Sequence, residues 1–471
     1  MVAVTTYDVA IIGGGVVGLS TLRAASLAGL RCVLLEAKPH ILDSASGRNS
    51  GIACTGVDAP IGSLERALIR DSISGLRGYL QEYNIPHRDC GSLVCLWPWD
   101  VDVDADTASE DALKKVAHES WNAGDAACRI HTAEEVLSME PSLAPHIMGG
   151  VHIPGEIVLD PFLLPLSYAV HARENGAVIY TNFAVDTKNC CLEGGVWTLP
   201  RLLVNNEGDD NESDITPIVM AKSVVNAAGI FADLTQNEVP DEADGNLPQA
   251  SFTSMPRRGQ YCVLSMRKAR MLDDSKQQLL VRPIQPIPTQ RTKGVFVFSS
   301  MYDQLIIGPT ALDQLSRVDD DPDSIVSSDL KELAARVIPS IGDPDSVYVG
   351  EWVGLRPATN HRDYQIHLYP ERRWITAAGI RSTGLTASLG IGRYVLRLLK
   401  SIQAYPDDVS SAQQGSGHHT SPLPPVEVLV EQYCTSKDSC VEVNGFKYKV
   451  THPITRFGWA EMYQTRESHA S

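Results

Sequence analysis

The sequence lacks the long hydrophobic run and the paired cysteines that mark two large classes of protein. It has no stretch of about 18 consecutive apolar residues, so it predicts no membrane-spanning helix. Its 10 cysteines include no Cys-x-x-Cys pair, and a chain of this length needs no disulfide framework to hold its core. The first apolar strand begins near Tyr7, which leaves no room for a cleavable signal. These absences favour a reducing compartment, with the cytoplasm first and mitochondria as the alternative.

Positive charge is also scarce. The chain carries 40 Lys and Arg against 57 Asp and Glu, for a formal net charge of −17. Nucleic acids and anionic membranes are bound by an excess of Lys and Arg, so the composition argues against both as partners. With 43% hydrophobic and 21% charged residues among 471, the mixture is that of a globular protein of two or three domains. We expect a soluble protein of enzyme size.

Glycines near the N-terminus have the order and spacing of a dinucleotide-binding turn. In YDVAIIGGGVVGLSTLRAASLAGLRCVLLEAK, a β-branched run precedes G-x-G-x-x-G, a helical stretch follows, and a second strand ends at Glu36. Gly13 permits the tight turn, Gly15 lets a pyrophosphate approach the backbone, and Gly18 allows close packing of the helix on the strand. Glu36 is placed to accept hydrogen bonds from an adenosine ribose. The unit predicts bound NAD or FAD, and these residues do not distinguish the two.

The loop SGRNSGIACTG, at residues 46–56, favours FAD. Its Asn49-Ser50-Gly51 pattern resembles the loop that lies beside the flavin in FAD-dependent oxidoreductases of the D-amino-acid oxidase superfamily. The resemblance is strongest to the branch with glycerol-3-phosphate dehydrogenases and L-2-hydroxyglutarate dehydrogenases, and it covers roughly residues 5–400. Further segments similar to that family follow in the same order: KSVVNAAGIFAD (222–233), PRRGQYCVL (256–264), LIIGPTA (305–311), EWVGLRPATNHRDYQI (351–366) and AAGIRSTGLTASLGIGRYV (377–395).

The resemblance implies an α/β fold in which a Rossmann-like FAD-binding domain is joined to a second, β-rich α+β substrate domain. We assign the chain to three parts: a discontinuous FAD-binding domain at 1–84, 148–235 and 346–402, a substrate domain at 85–147 and 236–345, and a linker and C-terminal tail at 403–471. No flavin motif lies beyond Val395, so the tail is predicted to be dispensable for FAD binding. Cys434 and Cys440 in the tail are too few to hold an iron–sulfur cluster, and no metal site is predicted.

Each motif contributes predicted contacts with FAD. A helix that starts near Gly384 would aim its N-terminus at the flavin, where backbone donors and the helix dipole stabilise negative charge. The residues that the resemblance implies for FAD binding are Gly13, Gly15, Val16, Val17, Gly18, Glu36, Arg48, Asn49, Ser50, Gly51, Gly229, Gly354, Arg356, Gly379, Arg381, Thr383, Gly384 and Leu385.

The catalytic side chains must bind the substrate and accept a proton. Arg356, in the Gly-Leu-Arg-Pro segment, is the first choice to bind a carboxylate or phosphate, because a guanidinium makes bidentate charge-assisted hydrogen bonds. Arg258 and Arg381 are the second choices. The L-2-hydroxyglutarate dehydrogenase pattern has a histidine shortly after Asn-Ser-Gly, but this chain has Cys54, and a neutral thiol is a poor base for an alcohol. His361 is the predicted replacement.

These observations predict an FAD-dependent dehydrogenase or oxidase that acts on a small anionic hydroxy compound, either glycerol 3-phosphate or a 2-hydroxy acid. The electron acceptor is left open among a quinone, an electron-transfer protein and oxygen. Two alternatives stay open. One is oxidation of an amino or N-methyl acid, which needs no strong base when the neutral amine binds. The other is a flavin-binding subunit without turnover.

Overall fold

The computed structural model describes residues 5–100, 106–202, 217–240, 247–272, 280–288, 294–402 and 419–470. Most of the predicted linker, residues 403–418, lies outside the described residues. The strands are β1 (Thr6–Ile12), β2 (Cys32–Leu35), β3 (Ile52–Ala53), β4 (His87–Asp89), β5 (Ser92–Leu96), β6 (Arg129–His131), β7 (Gly149–Ile153), β8 (Ile157–Leu159), β9 (Val178–Tyr180), β10 (Cys191–Glu193), β11 (Val196–Pro200), β12 (Ile218–Asn226), β13 (Arg257–Ser265), β14 (Ile284–Pro286), β15 (Phe296–Ser299), β16 (Gln304–Gly308), β17 (Leu312–Asp313), β18 (Tyr348–Arg356), β19 (Gln365–Tyr369), β20 (Trp374–Ala378), β21 (Cys440–Val443) and β22 (Phe446–Lys449).

Eleven helices lie among these strands in the described residues. They are α1 (Val16–Leu27), α2 (Leu64–Glu82), α3 (Asp106–Asn122), α4 (Ala133–Met139), α5 (Leu163–Glu174), α6 (Ala232–Asn237), α7 (Met266–Leu272), α8 (Ser324–Val337), α9 (Gly384–Ser401), α10 (Val426–Thr435) and α11 (Pro453–Ala470). Within the described ranges, none of them is both long and apolar enough to cross a membrane.

The first sheet contains the dinucleotide-binding unit. Its strand order is β10-β11-β12-β1-β2-β9, with β20 also paired to β12 and β19 to β20. Strand β1 runs parallel to both β2 and β12, so the carboxyl ends of these strands meet at one edge, where cofactors bind in parallel sheets. Helix α1 leaves that edge and packs against α5 and α9. The predicted βαβ unit is therefore present, with its glycine-rich turn at the edge that is expected to hold a cofactor.

The second sheet is largely antiparallel and carries two of the selected arginines, Arg258 on β13 and Arg356 on β18. Its order is β17-β13-β16-β15-β14-β5-β7-β6, and β18 pairs with β13 along most of its length. The predicted α/β fold with a second, β-rich part agrees with these two sheets. The domain ranges themselves stay a prediction. Two strands that they assign to the FAD-binding domain, β7 and β18, pair within the second sheet, because a strand's partner depends on residues far away in the chain.

Residues 419–470, which the sequence analysis assigned to a linker and C-terminal tail, form a folded unit that shares the main hydrophobic core. Helix α10 packs on α11 and on strand β21 of the β21–β22 hairpin, and α11 also contacts β18. Their apolar side chains belong to the largest hydrophobic cluster of the described chain, which also contains α1, α5 and α9. The buried members from this unit are Leu423, Leu429, Val430, Val441, Val443, Tyr448, Val450, Ile454 and Trp459. The sequence at the start of this region has the composition of a linker, but the apolar residues that follow it are part of the core.

Candidate active site

The glycine-rich turn joins β1 to α1, and two of its glycines are required by the chain itself. Gly13 has a φ of +109°, and a Cβ there would collide with the carbonyl oxygen of Ala227 at the end of β12. A Cβ on Gly18 would collide with the carbonyl oxygen of Gly13. Gly15 differs, because an added Cβ would meet only Ser46, whose hydroxyl would lie 3.0 Å away. The turn is therefore closed where α1 packs on β1 and open at Gly15, just before the helix begins.

Glu36 follows β2 and turns its carboxylate back to the glycine-rich turn. Oε2 accepts the backbone N–H of Gly14 at 2.6 Å, and Oε1 accepts that of Lys38 at 2.8 Å. Burial raises the pKa of the Glu36 carboxyl above its ordinary value, although both hydrogen bonds favour the charged form. An acceptor is thus held next to the turn, at the position from which a ribose hydroxyl is bound in dinucleotide sites.

Ser46 is a residue of this site that the sequence analysis missed. Its hydroxyl oxygen accepts the backbone N–H of Val16, the first residue of α1, at 2.9 Å. Val17 follows in the same first turn, whose backbone N–H groups form the positive end of the helix. The loop of residues 46–56, here called the flavin loop, therefore reaches the N-terminus of α1. The sequence feature that could have pointed to Ser46 is its position, three residues before the selected Asn49.

The Asn-Ser-Gly pattern shapes the flavin loop from within. The side chain of Asn49 donates to the carbonyl oxygen of Ser46 at 2.7 Å and accepts the N–H of Gly51 at 2.9 Å. Ser50 hydrogen-bonds through its side chain with the hydroxyl of Tyr261 on β13. Tyr261 is buried, and its ring stacks on Trp352 of β18 with the centroids 4.6 Å apart. The loop is thus attached to the second sheet through an aromatic pair that the sequence analysis did not select.

Arg48 connects the flavin loop to the C-terminal unit. Its guanidinium donates to the carbonyl oxygen of Thr451 at 3.2 Å and pairs with Asp43 at 3.3 Å. The hydroxyl of Thr451 in turn donates to the carbonyl oxygen of Leu42 at 2.8 Å, on the segment that leads into the loop. Residues beyond Val395 therefore contact the predicted cofactor site, contrary to the expectation from the sequence.

The start of α9 and the end of β18 meet the same loop. Thr383 is the N-cap of α9, and Gly384, Leu385 and Thr386 form its first turn. The N–H of Cys54 donates to the Thr386 hydroxyl at 3.1 Å. On β18, a Cβ at Gly354 would lie 2.9 Å from the carbonyl oxygen of Arg48. Two distant segments, the start of α9 and the end of β18, thus contact the flavin loop. Of the other two selected glycines, Gly379 follows β20 and Gly229 lies in the turn between β12 and α6.

Arg356 lies at the end of β18 and crosses over Gly259 on β13. A Cβ at Gly259 would lie 2.6 Å from the guanidinium, so a side chain there would displace it. One nitrogen donates to the carbonyl oxygen of Thr310 at 3.0 Å and another to that of Arg258 at 3.5 Å. No ion pair joins it to a carboxylate in the part of the chain that the structure describes. Burial lowers the pKa of Arg356, but an arginine stays protonated in proteins. The site holds a cation whose charge no described carboxylate neutralises.

The remaining selected side chains are engaged elsewhere. Arg258 pairs with Asp319 at 3.4 Å, which makes it a weaker candidate for binding an anion than Arg356. The ring of His361 lies 3.0 Å from the carbonyl oxygen of Ser251 on an exposed loop, which does not favour it as the proton acceptor. Arg381 donates to the carbonyl oxygen of His361 at one nitrogen, while its buried Nε has no hydrogen-bond partner in the described residues.

Comparison with known proteins identifies the family of this chain. A family model described as FAD dependent oxidoreductase (DAO) matches residues 8–398. The chain belongs to this family. As a DAO-family protein it is an FAD-dependent oxidoreductase, which confirms the cofactor and the enzyme class predicted from the sequence. The match ends before the C-terminal unit, so residues 419–470 lie outside the matched range.

Three relatives of the chain are named for the oxidation of hydroxy compounds. The chain is 28% identical over 398 residues to a glycerol 3-phosphate dehydrogenase from Caloramator mitchellensis, covering 84% of this chain and 74% of the relative. It is 28% identical over 410 residues to the glycerol 3-phosphate oxidase of Mycoplasma pneumoniae, covering 84% and 94%. To human mitochondrial L-2-hydroxyglutarate dehydrogenase it is 24% identical over 350 residues, covering 70% and 68%.

A solved structure of the family supports the fold class. The dithionite-reduced L-α-glycerophosphate oxidase from Mycoplasma pneumoniae with FAD bound superposes with a TM-score of 0.70 at 25% identity, covering 84% of this chain and 95% of that one. The predicted α/β fold of an FAD-dependent oxidoreductase is therefore confirmed.

Proposed function

We propose that this DAO-family protein oxidises a small anionic hydroxy compound, either glycerol 3-phosphate or a 2-hydroxy acid, with FAD as the oxidant. The observation that carries the proposal is Arg356. It is a partly buried guanidinium with only carbonyl oxygens as described hydrogen-bond partners, on the strand that contacts the flavin loop through Gly354. A carboxylate or phosphate would supply the negative charge that the described chain does not. The names of the relatives support the same substrate class.

The residues of the first sheet fit FAD. The open space at Gly15 and the N-terminal turn of α1, with Val16 and Val17, would take the pyrophosphate, and Glu36 the adenosine ribose. The flavin loop and the first turn of α9 would hold the flavin between them. Bound there, FAD supplies an acceptor for a hydride from the substrate carbon. The contribution of the chain is to bind the anion, align the carbon and take up the hydroxyl proton.

One experiment distinguishes this proposal from its two alternatives, oxidation of an amine and a flavin-binding subunit without turnover. The purified holoprotein is mixed anaerobically with glycerol 3-phosphate, with 2-hydroxy acids and with amino and N-methyl acids, and loss of the flavin absorbance is followed. Rapid bleaching by a hydroxy compound supports the proposal. Bleaching by amino acids alone would transfer the function to amine oxidation, and no bleaching by any of them would favour a subunit without turnover. Reoxidation by oxygen, a soluble quinone and an electron-transfer flavoprotein then compares the acceptors.

We further propose the cytoplasm as the location. None of the 10 cysteines, all of which lie in the described ranges, forms a disulfide bond, which agrees with a reducing compartment.

Replacement of Gly15 by valine is expected to give a folded protein without bound FAD. The added side chain has room in the folded chain except against the Ser46 hydroxyl, but it would occupy the approach of the pyrophosphate. Gly75→Val is the matched control, because Gly75 lies on α2 with open space around it. The measurement is the ratio of flavin to protein after purification, together with circular dichroism. A folded Gly15→Val variant with a full complement of FAD would contradict the assignment of the pyrophosphate site.

A further inference from the structure

A line of buried polar side chains begins at the N-cap of α9. The Thr383 hydroxyl donates to Oε1 of Glu65 at 2.7 Å, and the hydroxyl of Tyr364 lies 2.6 Å from Oγ1 of Thr383. Glu65, Thr383 and Tyr364 are 9%, 3% and 4% exposed. A carboxylate is rarely buried without a specific reason, because its desolvation is costly. Here it is connected by two short hydrogen bonds to a buried phenol.

The hydrogen bonds along this line are all donated in one direction, towards Glu65. The hydroxyl of Thr383 has one proton and gives it to Glu65, so Tyr364 must donate its own proton to Oγ1 of Thr383. Burial, with a smaller effect of the nearby Glu65, raises the pKa of Tyr364 well above its ordinary value. The phenol is therefore protonated at neutral pH and is the donor. Its oxygen keeps a lone pair that can accept a proton from another group.

Tyr364 lies where the flavin loop meets α9. Its hydroxyl is close enough to Cys54 for the two groups to interact electrostatically. The backbone N–H of Cys54 donates to the hydroxyl of Thr386, one turn into α9. Tyr364, at one end of the line, therefore lies at the junction that we propose to hold the flavin. The Glu65 carboxylate, on α2, is the other end.

A proton acceptor at this junction is a chemical requirement of the proposed reaction. Conversion of a hydroxyl to a carbonyl releases a proton as well as a hydride. His361 is on an exposed loop and faces a carbonyl oxygen. His452 is fully buried, and burial together with Arg48 holds its pKa well below the ordinary value. Its Nδ1 already accepts the N–H of Ile454 at 3.2 Å, so the lone pair of this neutral ring is in use.

We propose that Tyr364, Thr383 and Glu65 form a proton relay for the substrate hydroxyl, an inference that rests on the proposed oxidation of a hydroxy compound. The O–H bond of the substrate breaks as its proton passes to Oη of Tyr364. The phenol proton passes to Oγ1 of Thr383, and the threonine proton passes to Glu65. The two electrons leave with the hydride to FAD, the carbon becomes a carbonyl, and Glu65 ends neutral. Tyr364 is then the catalytic residue, while Thr383 and Glu65 are positioning residues.

Two charged groups on other segments lie near Glu65. Arg381, on the turn before α9, lies within electrostatic reach and favours the charged carboxylate. Asp363 accepts the backbone N–H of Glu65 at 2.8 Å, and the Cys54 thiol of the flavin loop lies within electrostatic reach of Tyr364 at the other end of the line. The relay works only when Glu65 is ionised. Flavin reduction should therefore slow as the pH falls through the pKa of this carboxyl.

Glu65→Gln and Tyr364→Phe are each expected to slow flavin reduction by about 100-fold and to remove the decrease at acid pH, since general base catalysis contributes about 100- to 10,000-fold. Both changes keep the size of the side chain. Stopped-flow bleaching with the hydroxy substrate, measured across pH, gives the rates. Infrared difference spectra between the oxidised and substrate-reduced protein give an independent readout, in which a protonated carboxyl band should appear in the parent and be absent in Glu65→Gln.

Tyr168→Phe is the matched control. Tyr168 is a buried tyrosine whose hydroxyl lies 2.8 Å from that of Ser388 on the same helix α9, so its removal costs a similar hydrogen bond outside the relay. This variant should keep the rate and the acid limb of the parent. If Tyr364→Phe and Glu65→Gln behave like Tyr168→Phe, or if the parent shows no carboxyl band, the relay is wrong even though the substrate is right. If no hydroxy compound bleaches the parent at all, the proposed function fails first.

Discussion

Alanine in place of Arg356 is expected to lower kcat/KM for flavin reduction by roughly ten- to a hundredfold. The guanidinium at the end of β18 would lose a charge-assisted hydrogen bond to the substrate anion, which is worth roughly 1.5–3 kcal/mol. Arg356→Lys should restore only part of the efficiency, because an ammonium cannot reproduce the planar, bidentate geometry. Stopped-flow bleaching with the best substrate measures both variants, after their FAD content has been shown to be normal.

Arg88→Ala is a matched control for this change. Arg88 also binds carbonyl oxygens, those of Val281 and Ser299, but it lies on β4, which is separated from strand β3 of the flavin loop by β8. Its loss should affect stability and leave flavin reduction unchanged. Unchanged efficiency of Arg356→Ala would mean that the anion is bound elsewhere, and Arg381, with its buried and unpartnered Nε, would be the next residue to test.

Removal of every residue after Ile402 is expected to abolish the folded flavoprotein. The C-terminal unit contributes nine buried apolar side chains to the cluster that contains α1, α5 and α9, and its removal would expose the surfaces that they cover. Large exposed apolar patches lead to aggregation. The measurements are soluble yield and FAD content. A truncated protein that is soluble and carries a full complement of FAD would show that the unit is dispensable, as its linker-like start suggests.

Thr451→Val separates support of the flavin loop from support of the fold. It removes the hydroxyl that donates to Leu42 but keeps the shape of the side chain, so we expect the affinity for FAD to fall by about two- to tenfold with little change in melting temperature. Thr435→Val, which removes a hydroxyl bonded to a carbonyl oxygen within α10, is the control from the same unit. Equal FAD affinity in both variants would contradict the proposed support.

The parts of the site that could be predicted from sequence are those specified by local backbone geometry. Gly13 and Gly18 are required by contacts within a few residues or with the adjacent strand, and Asn49 bonds to Ser46 and Gly51 in its own loop. Such short-range requirements produce fixed spacings that a sequence displays directly. The same holds for the start of α9, where a glycine-containing turn precedes a helix.

The parts that were missed depend on contacts between distant residues. Glu65 meets Thr383 across 318 positions, and Trp352 donates to the carbonyl oxygen of Arg48 across 304. No spacing rule connects such pairs in a single sequence. A glutamate in the first turn of a helix, such as Glu65, is moreover common, because its charge interacts favourably with the helix dipole. His361 was selected for its residue type and its place in a motif, and its ring faces the carbonyl oxygen of Ser251 on an exposed loop, a contact that no sequence pattern announces.

The bond between Arg48 and Thr451 has a consequence for the order in which the protein matures. The two residues are 403 positions apart, so a ribosome that adds about 5–20 residues per second needs roughly 20–80 s to supply the partner of the loop after the loop itself has been made. During that interval the glycine-rich sequence has been synthesised, but the segment that holds the flavin loop in place has not. The complete binding surface for FAD is thus assembled only after Thr451 has been made.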